Sequence, residues 1–234
     1  PQQPAANAAQ TALLEWAAAN PTDRPTPARD GSGRYRLPHP DTDKATSWTR
    51  ATTFAGSLSD SQGLNVWRHR LLVGGLASSP DLVADAAAAW LADDRQALTR
   101  AAGQALHRGG EKLAADCGTA MHTAVEHHIA GTGVRPPWPY DADVDAYAAL
   151  IADHDITTPP EWSERILLTT DLGVAGTTDN IITLGGVNYI ADLKTGSSAD
   201  RIDYAIQLAI YAHAAHMWRL DGTGYEPMPE VDQN

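Results

Sequence analysis

The stretch ERILLTTDLGVAGTTDNIITLGGVNYIADL, residues 164–193, decides the fold class. It contains three runs rich in β-branched residues, at 164–170, 174–184 and 187–193, and each run predicts a strand. A Gly-Gly pair at 185–186 separates the last two runs and predicts a two-residue hairpin turn. The sequence therefore predicts three consecutive strands that form an antiparallel meander.

Helical patterns lie on both sides of this meander, with apolar or alanine-rich positions at helical spacing. We expect helices over residues 7–19, 52–58, 63–76, 80–91, 94–107, 110–130, 141–153 and about 200–218. Residues 20–47, which are rich in Pro, Gly, Asp and Arg, predict a loop or arm. Because helices precede the meander and one helix follows and packs on it, the predicted class is α+β.

The order of these patterns indicates three parts. They are an N-terminal helix with a Pro/Gly/Arg-rich arm (1–47), a helical region (48–108) and a C-terminal core (109–234). The final stretch, 229–234, carries no pattern of a closing element. One alternative is therefore that the core is truncated at its C-terminal end and lacks a strand that its activity needs.

The net charge of −12 argues at first against a nucleic-acid partner, because phosphate binding usually goes with a basic balance. Residues 1–135 hold 13 basic and 13 acidic residues, whereas residues 136–234 hold 4 basic and 16 acidic residues. The whole acidic excess therefore lies in the C-terminal part. This excludes a simple basic protein that coats DNA, but it leaves a protein whose acidic side chains bind a metal cation.

Cys117 is the only cysteine in the sequence. It excludes an internal disulfide bond, and it excludes an iron–sulfur cluster or a zinc site built on several thiolates. The sparse use of cysteine indicates a reducing compartment, and we expect the cytoplasm. Since no uninterrupted apolar run approaches the length of a bilayer span, we expect no association with a membrane.

Two carboxylates are expected to face each other across the predicted hairpin. Asp179 and Asp192 are equally distant from the centre of the Gly-Gly turn, which makes them cross-strand neighbours. Two like charges there are unfavourable without a cation between them, and a hard divalent ion such as Mg²⁺ suits such oxygen ligands. Lys194 lies on the same strand face as Asp192, where it can hold an attacking water or a developing negative charge.

Four motifs in this order resemble those of the PD-(D/E)XK nuclease superfamily, and specifically its RecB-like branch. They are Gly118-x-x-x-His122, Gly176-Thr-Thr-Asp179, Asp192-Leu-Lys194-Thr-Gly196 and Gln207-x-x-x-Tyr211, and they span roughly residues 110–220. The set is similar to the exonucleases of actinobacteriophages and to the nuclease of CRISPR adaptation, although one cysteine cannot supply the iron–sulfur cluster of the latter. The resemblance implies a restriction-endonuclease-like core in residues 109–234, in which helices flank a central mixed sheet of about three or more strands. A helical N-terminal region precedes this core.

The resemblance also implies a role for each matched residue. The ligands of a Mg²⁺ or Mn²⁺ ion would be His122, Asp179, Asp192 and the backbone carbonyl of Leu193. The catalytic set would be Asp179, Asp192, Lys194, Gln207 and Tyr211. Lys194 is the catalytic lysine in this scheme, and the other two members on the last helix would orient it or contact the nucleic-acid strand. Two acids are candidates for the outer shell of the metal, Glu126 and Glu164.

The implied activity is metal-assisted hydrolysis of phosphodiester bonds by a DNA exonuclease of phage or bacterial recombination, repair or degradation. The expected partners are single- or double-stranded DNA and a single-strand annealing or recombination protein. The expected location is the bacterial cytoplasm, which would be that of the host if a phage encodes the chain.

Basic residues and one tryptophan cluster ahead of the core, between residues 34 and 70. The candidate DNA contacts are Arg34, Arg36, Lys44, Trp48, Arg50, Arg68 and Arg70. A solvated surface of mixed charge explains this cluster equally well, and the tryptophans of the chain are more typical of packing. His127 and His128, which follow the histidine motif, are expected to be exposed.

Each feature of the site also has a simpler interpretation. Asp192 and Lys194 alone would indicate a surface ion pair at a strand end, and His122 alone would indicate an ordinary helix histidine. The presence of Asp179 and of the other motifs favours the site. A second hypothesis is a catalytically silent protein of nuclease fold that serves as a DNA-binding or assembly module. The intact acid pair argues against it, because a retired site has no reason to keep two unfavourable like charges.

Overall fold

The computed structural model describes residues 7–22, 26–58, 62–195 and 202–233. Among these residues the helices are α1 (Ala8–Ala19), α2 (Ala51–Ser57), α3 (Gln62–Ala77), α4 (Pro80–Leu91), α5 (Arg95–Arg108), α6 (Glu111–Ile129), α7 (Tyr140–Asp153) and α8 (Ile202–Ala212). The strands are β1 (Tyr35–Pro38), β2 (Ala45–Arg50), β3 (Ser163–Thr169), β4 (Val174–Leu184), β5 (Val187–Ala191), β6 (His216–Trp218) and β7 (Tyr225–Pro227). The predicted α+β class is thus confirmed.

The chain divides into two compact units, and the division falls within α6. One unit comprises Pro1–Ala19 and Asp60–Met121, and the other comprises Asn20–Ser59 and His122–Asn234. The first unit contains helices alone among its described residues, whereas the second contains all the described strands. The residues of the predicted site motifs from His122 onwards therefore belong to the second unit.

Two glycines let α3 and α5 approach each other closely in the helical unit. A Cβ added at Gly75 would lie 1.9 Å from the carbonyl oxygen of Ala105, and one added at Gly109 would lie 2.3 Å from that of Leu71. Because these neighbours are backbone atoms, they cannot move aside as a flexible side chain does. The close contact between the two helices therefore requires glycine at both positions.

The second unit is built on a mixed, seven-stranded sheet of the described residues. Its order is β1-β2-β4-β3-β6-β7, and β5 pairs with the far half of the long strand β4. Strand β2 runs parallel to β4, through Thr49 opposite Val174, while the other pairs are antiparallel. The sheet therefore combines the predicted meander β3-β4-β5 with strands from both earlier and later parts of the chain.

Strand β3 is buried on both faces. Successive side chains of a strand point in opposite directions, and those of β3 enter two different core clusters. One core cluster packs on Leu167 and comprises Ala51, Leu167, Val174, Ile181, Ile210, Tyr211, Ala214 and Met217. The other cluster packs on the two flanking residues of β3 and comprises Tyr35, Leu37, Trp48, Ile166, Leu168 and Ala175. The strand next to the candidate site is thus fixed by apolar packing from both sides.

The predicted hairpin and its register are confirmed as far as Ala191, where β5 ends. The strand predicted through residue 193 is therefore two residues too long, and the predicted pair of Asp179 with Asp192 lies just beyond the paired residues. Leu184 pairs with Val187 and Asn180 pairs with Ala191, which is the pairing about the Gly-Gly centre. Gly185 and Gly186 have φ angles of 59° and 83°, as a two-residue hairpin turn with two left-handed positions requires. The helices predicted before the meander are also confirmed, since their ends lie within one residue of the predicted ones.

Two secondary-structure predictions are wrong. The loop predicted over 20–47 contains β1 and the start of β2, which form a hairpin whose buried side chains join the second core cluster. The helix predicted through residue 218 ends at Ala212 instead. There the hydroxyl of Thr169 donates to the carbonyl of Ile210 (2.7 Å), and the following residues pair with β3 as strand β6. In both cases tertiary pairing overrides the local sequence pattern.

Strands β6 and β7 form a hairpin after α8 that the sequence patterns did not indicate. The start of the predicted last helix at residue 200 lies outside the described residues, as does Gly196. Within the described ranges, no single helix has both the length and the apolar composition of a membrane span. Helices α3 and α4 meet both criteria only when taken together, although they are bent by 107°.

Candidate functional site

One imidazole and two carboxylates meet where α6, β3 and β4 come together. His122, Glu164 and Asp179 each offer a ligand atom, and these atoms all lie within 4.8 Å of one another. The Nδ1 atom of His122 is 3.4 Å from Oδ1 of Asp179 and 3.7 Å from Oε1 of Glu164. The three side chains are largely buried, so they form a compact polar group at the edge of the core.

The two carboxylates of this group lie opposite each other on neighbouring strands. Ser163 pairs with Asn180 and Arg165 pairs with Thr178, which brackets Glu164 and Asp179 between two regular cross-strand pairs. Glu164 nevertheless has a φ angle of +52°, in the left-handed region that residues with a Cβ rarely adopt. Such backbone strain costs about 1–3 kcal/mol and is typical of functional sites.

Asp192 and Lys194 lie just beyond the end of β5, next to this group. Lys194 forms an ion pair with Asp192. The amide nitrogen of Leu193 donates to Oδ2 of Asp179, at 2.5 Å. Asp179 therefore links the imidazole on one side to the Asp-x-Lys motif on the other, and the backbone of the motif is held against it.

Helix α8 supports the Asp-x-Lys motif from its buried face. Nε2 of Gln207 lies 3.3 Å from Oδ1 of Asp192, to which it donates, and 3.4 Å from the hydroxyl of Tyr211. Tyr211 itself packs so closely on Gly176 that a Cβ there would lie 2.4 Å from the tyrosine oxygen. The Gly176 motif is thus needed for the approach of Tyr211, and the predicted Gln-x-x-x-Tyr pair reaches the predicted site.

The electrostatics of the group show a crowding of negative charge around one cationic position. Burial lowers the pKa of His122, but the carboxylates of Asp179 and Glu164 outweigh it and raise that pKa to about 10. Burial raises the pKa of Glu164, and the charges of Asp179 and Glu126 raise it further, although His122 opposes them. A protonated imidazole therefore balances the acids in the absence of another cation.

The same crowding acts on Asp192. Burial and then the negative charge of Asp179 raise its pKa, while the hydrogen bond and the charge of Lys194 lower it. Tyr147 of α7 also senses the group, because burial and the charge of Asp179 both raise the pKa of its hydroxyl. Neither Tyr147 nor its helix was singled out by the sequence motifs, and no local sequence signal marks it.

The two acids that the sequence placed in the outer shell of the metal, Glu164 and Glu126, have different positions. Glu164 is a direct member of the group with His122 and Asp179, rather than an acid behind it. Glu126, one helical turn after His122, is buried and close enough for its charge to act on Glu164. The predicted exposure of His127, the next residue of α6, is wrong. His127 is buried, with its ring nitrogens 3.0 Å from the hydroxyl of Thr132 and from the carbonyl of Asn20.

The candidate DNA contacts are distributed over both units. Six of them are exposed. The second unit, which contains the sheet, carries Arg34, Arg36, Lys44 and Arg50, and the helical unit carries Arg68 and Arg70. Arg34 is paired with Asp30 at 2.7 Å and Arg68 with Glu111 at 2.8 Å.

Trp48 differs from the other candidate contacts, because it is only 3% exposed and its indole nitrogen donates to the carbonyl of Leu37. Its ring is therefore part of the core and is not available for stacking on a base. Of the two interpretations of this tryptophan, packing is the correct one.

Comparison of the chain with the models of known protein families, with curated proteins and with solved structures finds no match.

Proposed function

We propose that this chain is a Mg²⁺- or Mn²⁺-dependent DNA exonuclease that hydrolyses phosphodiester bonds, in phage or bacterial DNA recombination, repair or degradation. One observation carries the proposal. The imidazole of His122 and the carboxylates of Glu164 and Asp179 converge within 4.8 Å, beside an Asp192–Lys194 ion pair. An acidic group beside a lysine suits metal-assisted hydrolysis of a phosphodiester, because a metal cation can meet the phosphate and the lysine can stabilise the charge that develops on it.

The donor set fits a divalent ion that prefers oxygen and accepts one imidazole. Carboxylate oxygens suit Mg²⁺ and Mn²⁺, and a single imidazole nitrogen is compatible with Mn²⁺ in particular. His122, Glu164 and Asp179 would hold the ion, and Asp192 and the carbonyl of Leu193 are the further proposed ligands. A bound divalent ion would supply a water of lowered pKa and would stabilise negative charge on the phosphate.

The residues of the chain contribute positioning and charge to this reaction. Lys194 carries the cation that approaches the phosphate, and its ion pair with Asp192 keeps it at the edge of the group. Gln207 donates to Asp192 and so fixes the orientation of that carboxylate. Because the amide of Leu193 donates to Asp179, the two acids of the hairpin keep a defined separation.

The proposal extends to the fold and the partners. A mixed sheet whose meander carries the acids, with α6 and α8 supplying His122 and Gln207, is consistent with a restriction-endonuclease-like core. We propose DNA, single- or double-stranded, as the substrate, and a single-strand annealing or recombination protein as a partner. The single cysteine of the sequence leads us to propose no iron–sulfur cluster.

The test is a product analysis with end-labelled DNA. Linear and circular molecules, single- and double-stranded, are incubated with the purified chain in Mn²⁺, in Mg²⁺ and in EDTA, and the products are sized. An exonuclease degrades the linear forms, spares the circular ones and stops in EDTA. Binding of DNA without any cleavage in Mn²⁺ would contradict the proposal and would favour the catalytically silent binding module instead.

A further inference from the structure

The ammonium group of Lys194 has two partners of different chemistry. It forms an ion pair with Asp192, and its Nζ atom also lies 4.7 Å from the centroid of the Tyr204 ring. This separation is within the range of a cation–π contact, in which the negative face of an aromatic ring attracts a cation. The lysine thus sits between a carboxylate and a ring face.

Tyr204 belongs to the helix face that already supports the site. It precedes Gln207 by three residues and Tyr211 by seven, so the three side chains follow one stripe of α8. The two later residues contact Asp192 and Gly176, as described above. The half-buried ring of Tyr204 extends this stripe to the lysine.

The two partners of the lysine respond differently to a metal ion. When the carboxylate of Asp192 is engaged by a divalent cation, its negative charge is shared and its attraction for the ammonium group falls. A ring face neither carries a charge nor binds Mg²⁺, which prefers oxygen ligands. It also leaves the N–H donors of the ammonium group available for a phosphate oxygen.

We propose that Tyr204 is a positioning residue, which holds Lys194 at the site through its ring face when Asp192 is engaged by the metal. Its consequence for catalysis rests on the nuclease function proposed above, whereas the contact itself does not. The ring carries this role and the hydroxyl group does not, so phenylalanine should replace tyrosine at this position.

The contact is tested without activity by the NMR signals of the lysine side chains. The chain has three lysines, Lys44, Lys112 and Lys194, so a methyl- or ε-carbon-labelled sample gives a spectrum that substitution to arginine assigns. The ε-protons of Lys194 should lie upfield of the other two, because they sit over a ring. This shift should persist in saturating Mg²⁺ and in Tyr204→Phe, and it should vanish in Tyr204→Leu.

The other two lysines report whether each variant keeps its fold. If their signals stay in place while that of Lys194 moves in Tyr204→Leu, the ring contact is established. A Lys194 signal that coincides with the others in the wild type, that loses its shift when Mg²⁺ is added, or that does not respond to Tyr204→Leu would overturn the proposal.

The catalytic consequence is tested by separating kcat from KM for DNA hydrolysis. Tyr204→Leu should lower kcat roughly 3- to 30-fold, the range of a cation–π contact, with KM for DNA changed by less than about twofold. Tyr204→Phe should restore kcat. An unchanged kcat in Tyr204→Leu, or a rise in KM alone, would overturn the positioning role. If the wild type does not cleave DNA, the proposed function fails, and the NMR result still decides the contact.

Discussion

The substitution Glu164→Gln tests whether this carboxylate is a metal ligand rather than an outer acid. It removes one negative charge from the group and keeps the shape of the side chain. The charged atoms of this group lie about 4 Å apart, and a pair of unit charges at that distance interacts by about 4 kcal/mol at an effective dielectric constant of about 20. The amide oxygen retains part of the ligand role and avoids the burial cost of the charge. We therefore expect a net loss of about 2 kcal/mol, or about 30-fold in affinity for Mn²⁺.

The matched control is Glu126→Gln, which makes the same chemical change at a second buried acid. Glu126 acts on Glu164 through its charge but is not in the compact group of ligand atoms. Its substitution should weaken the binding of Mn²⁺ less than Glu164→Gln does, because Glu126 offers no ligand atom to the group and acts only through its charge. Isothermal titration calorimetry of the metal-free protein with Mn²⁺ measures both affinities.

Glu164→Gln weakens the binding of Mn²⁺, but it should not destabilise the metal-free protein. The raised pKa of Glu164, caused first by burial, means that its ionised form is disfavoured in the fold. Glu164→Gln should therefore melt no lower than the wild type in EDTA, but should gain less stability when Mn²⁺ is added. Wild-type affinity for Mn²⁺ in Glu164→Gln, or a larger loss in Glu126→Gln, would refute the assignment of the ligands.

Three further predictions concern the histidine, the glycine and the buried tryptophan. Because the carboxylates of Asp179 and Glu164 raise the pKa of His122 from 6.5 to about 10, its stabilisation of the metal-free fold is complete below pH 6.5 and is lost as the pH rises towards 10. Urea unfolding in EDTA across this range should show the loss in the wild type and not in His122→Asn. Gly176→Ala should cost about 1–3 kcal/mol because its Cβ meets Tyr211, whereas Gly56→Ala, in open space on α2, should cost nothing; equal urea midpoints for the two variants would contradict the packing. Trp48→Phe should lower the free energy of unfolding by about 1–3 kcal/mol through its lost bond to Leu37, while leaving the affinity for DNA unchanged; a selective loss of DNA binding would show that the ring contacts DNA.

The sequence predicts the parts of the site that depend on local geometry. The hairpin register follows from a Gly-Gly turn, since its two left-handed positions fix which residues face each other. The helical spacing of Gln207 and Tyr211 similarly places both on one face of α8. Each of these predictions needs only a few neighbouring residues, and each is recovered as a contact or a pairing.

The direct role of Glu164 could not be predicted, because it depends on two features that its neighbours do not encode. One is the register in which β3 pairs with β4, which brings it opposite Asp179. The other is its positive φ angle, a conformation that favours glycine and that no neighbouring turn residue predicts. The early hairpin of β1 and β2 is hidden for a similar reason, since Trp48 stabilises it by packing on residues more than a hundred positions later.

The most direct test of the central claim compares the wild type with Asp192→Asn in the Mn²⁺-dependent release of nucleotides from end-labelled linear DNA. Asp192 pairs with Lys194 and accepts from Gln207, so its charge links the proposed metal group to the lysine that we propose as catalytic. We expect cleavage by the wild type that EDTA stops, and loss of that cleavage in Asp192→Asn with an unchanged circular dichroism spectrum. Cleavage by the folded variant at the rate of the wild type would contradict it.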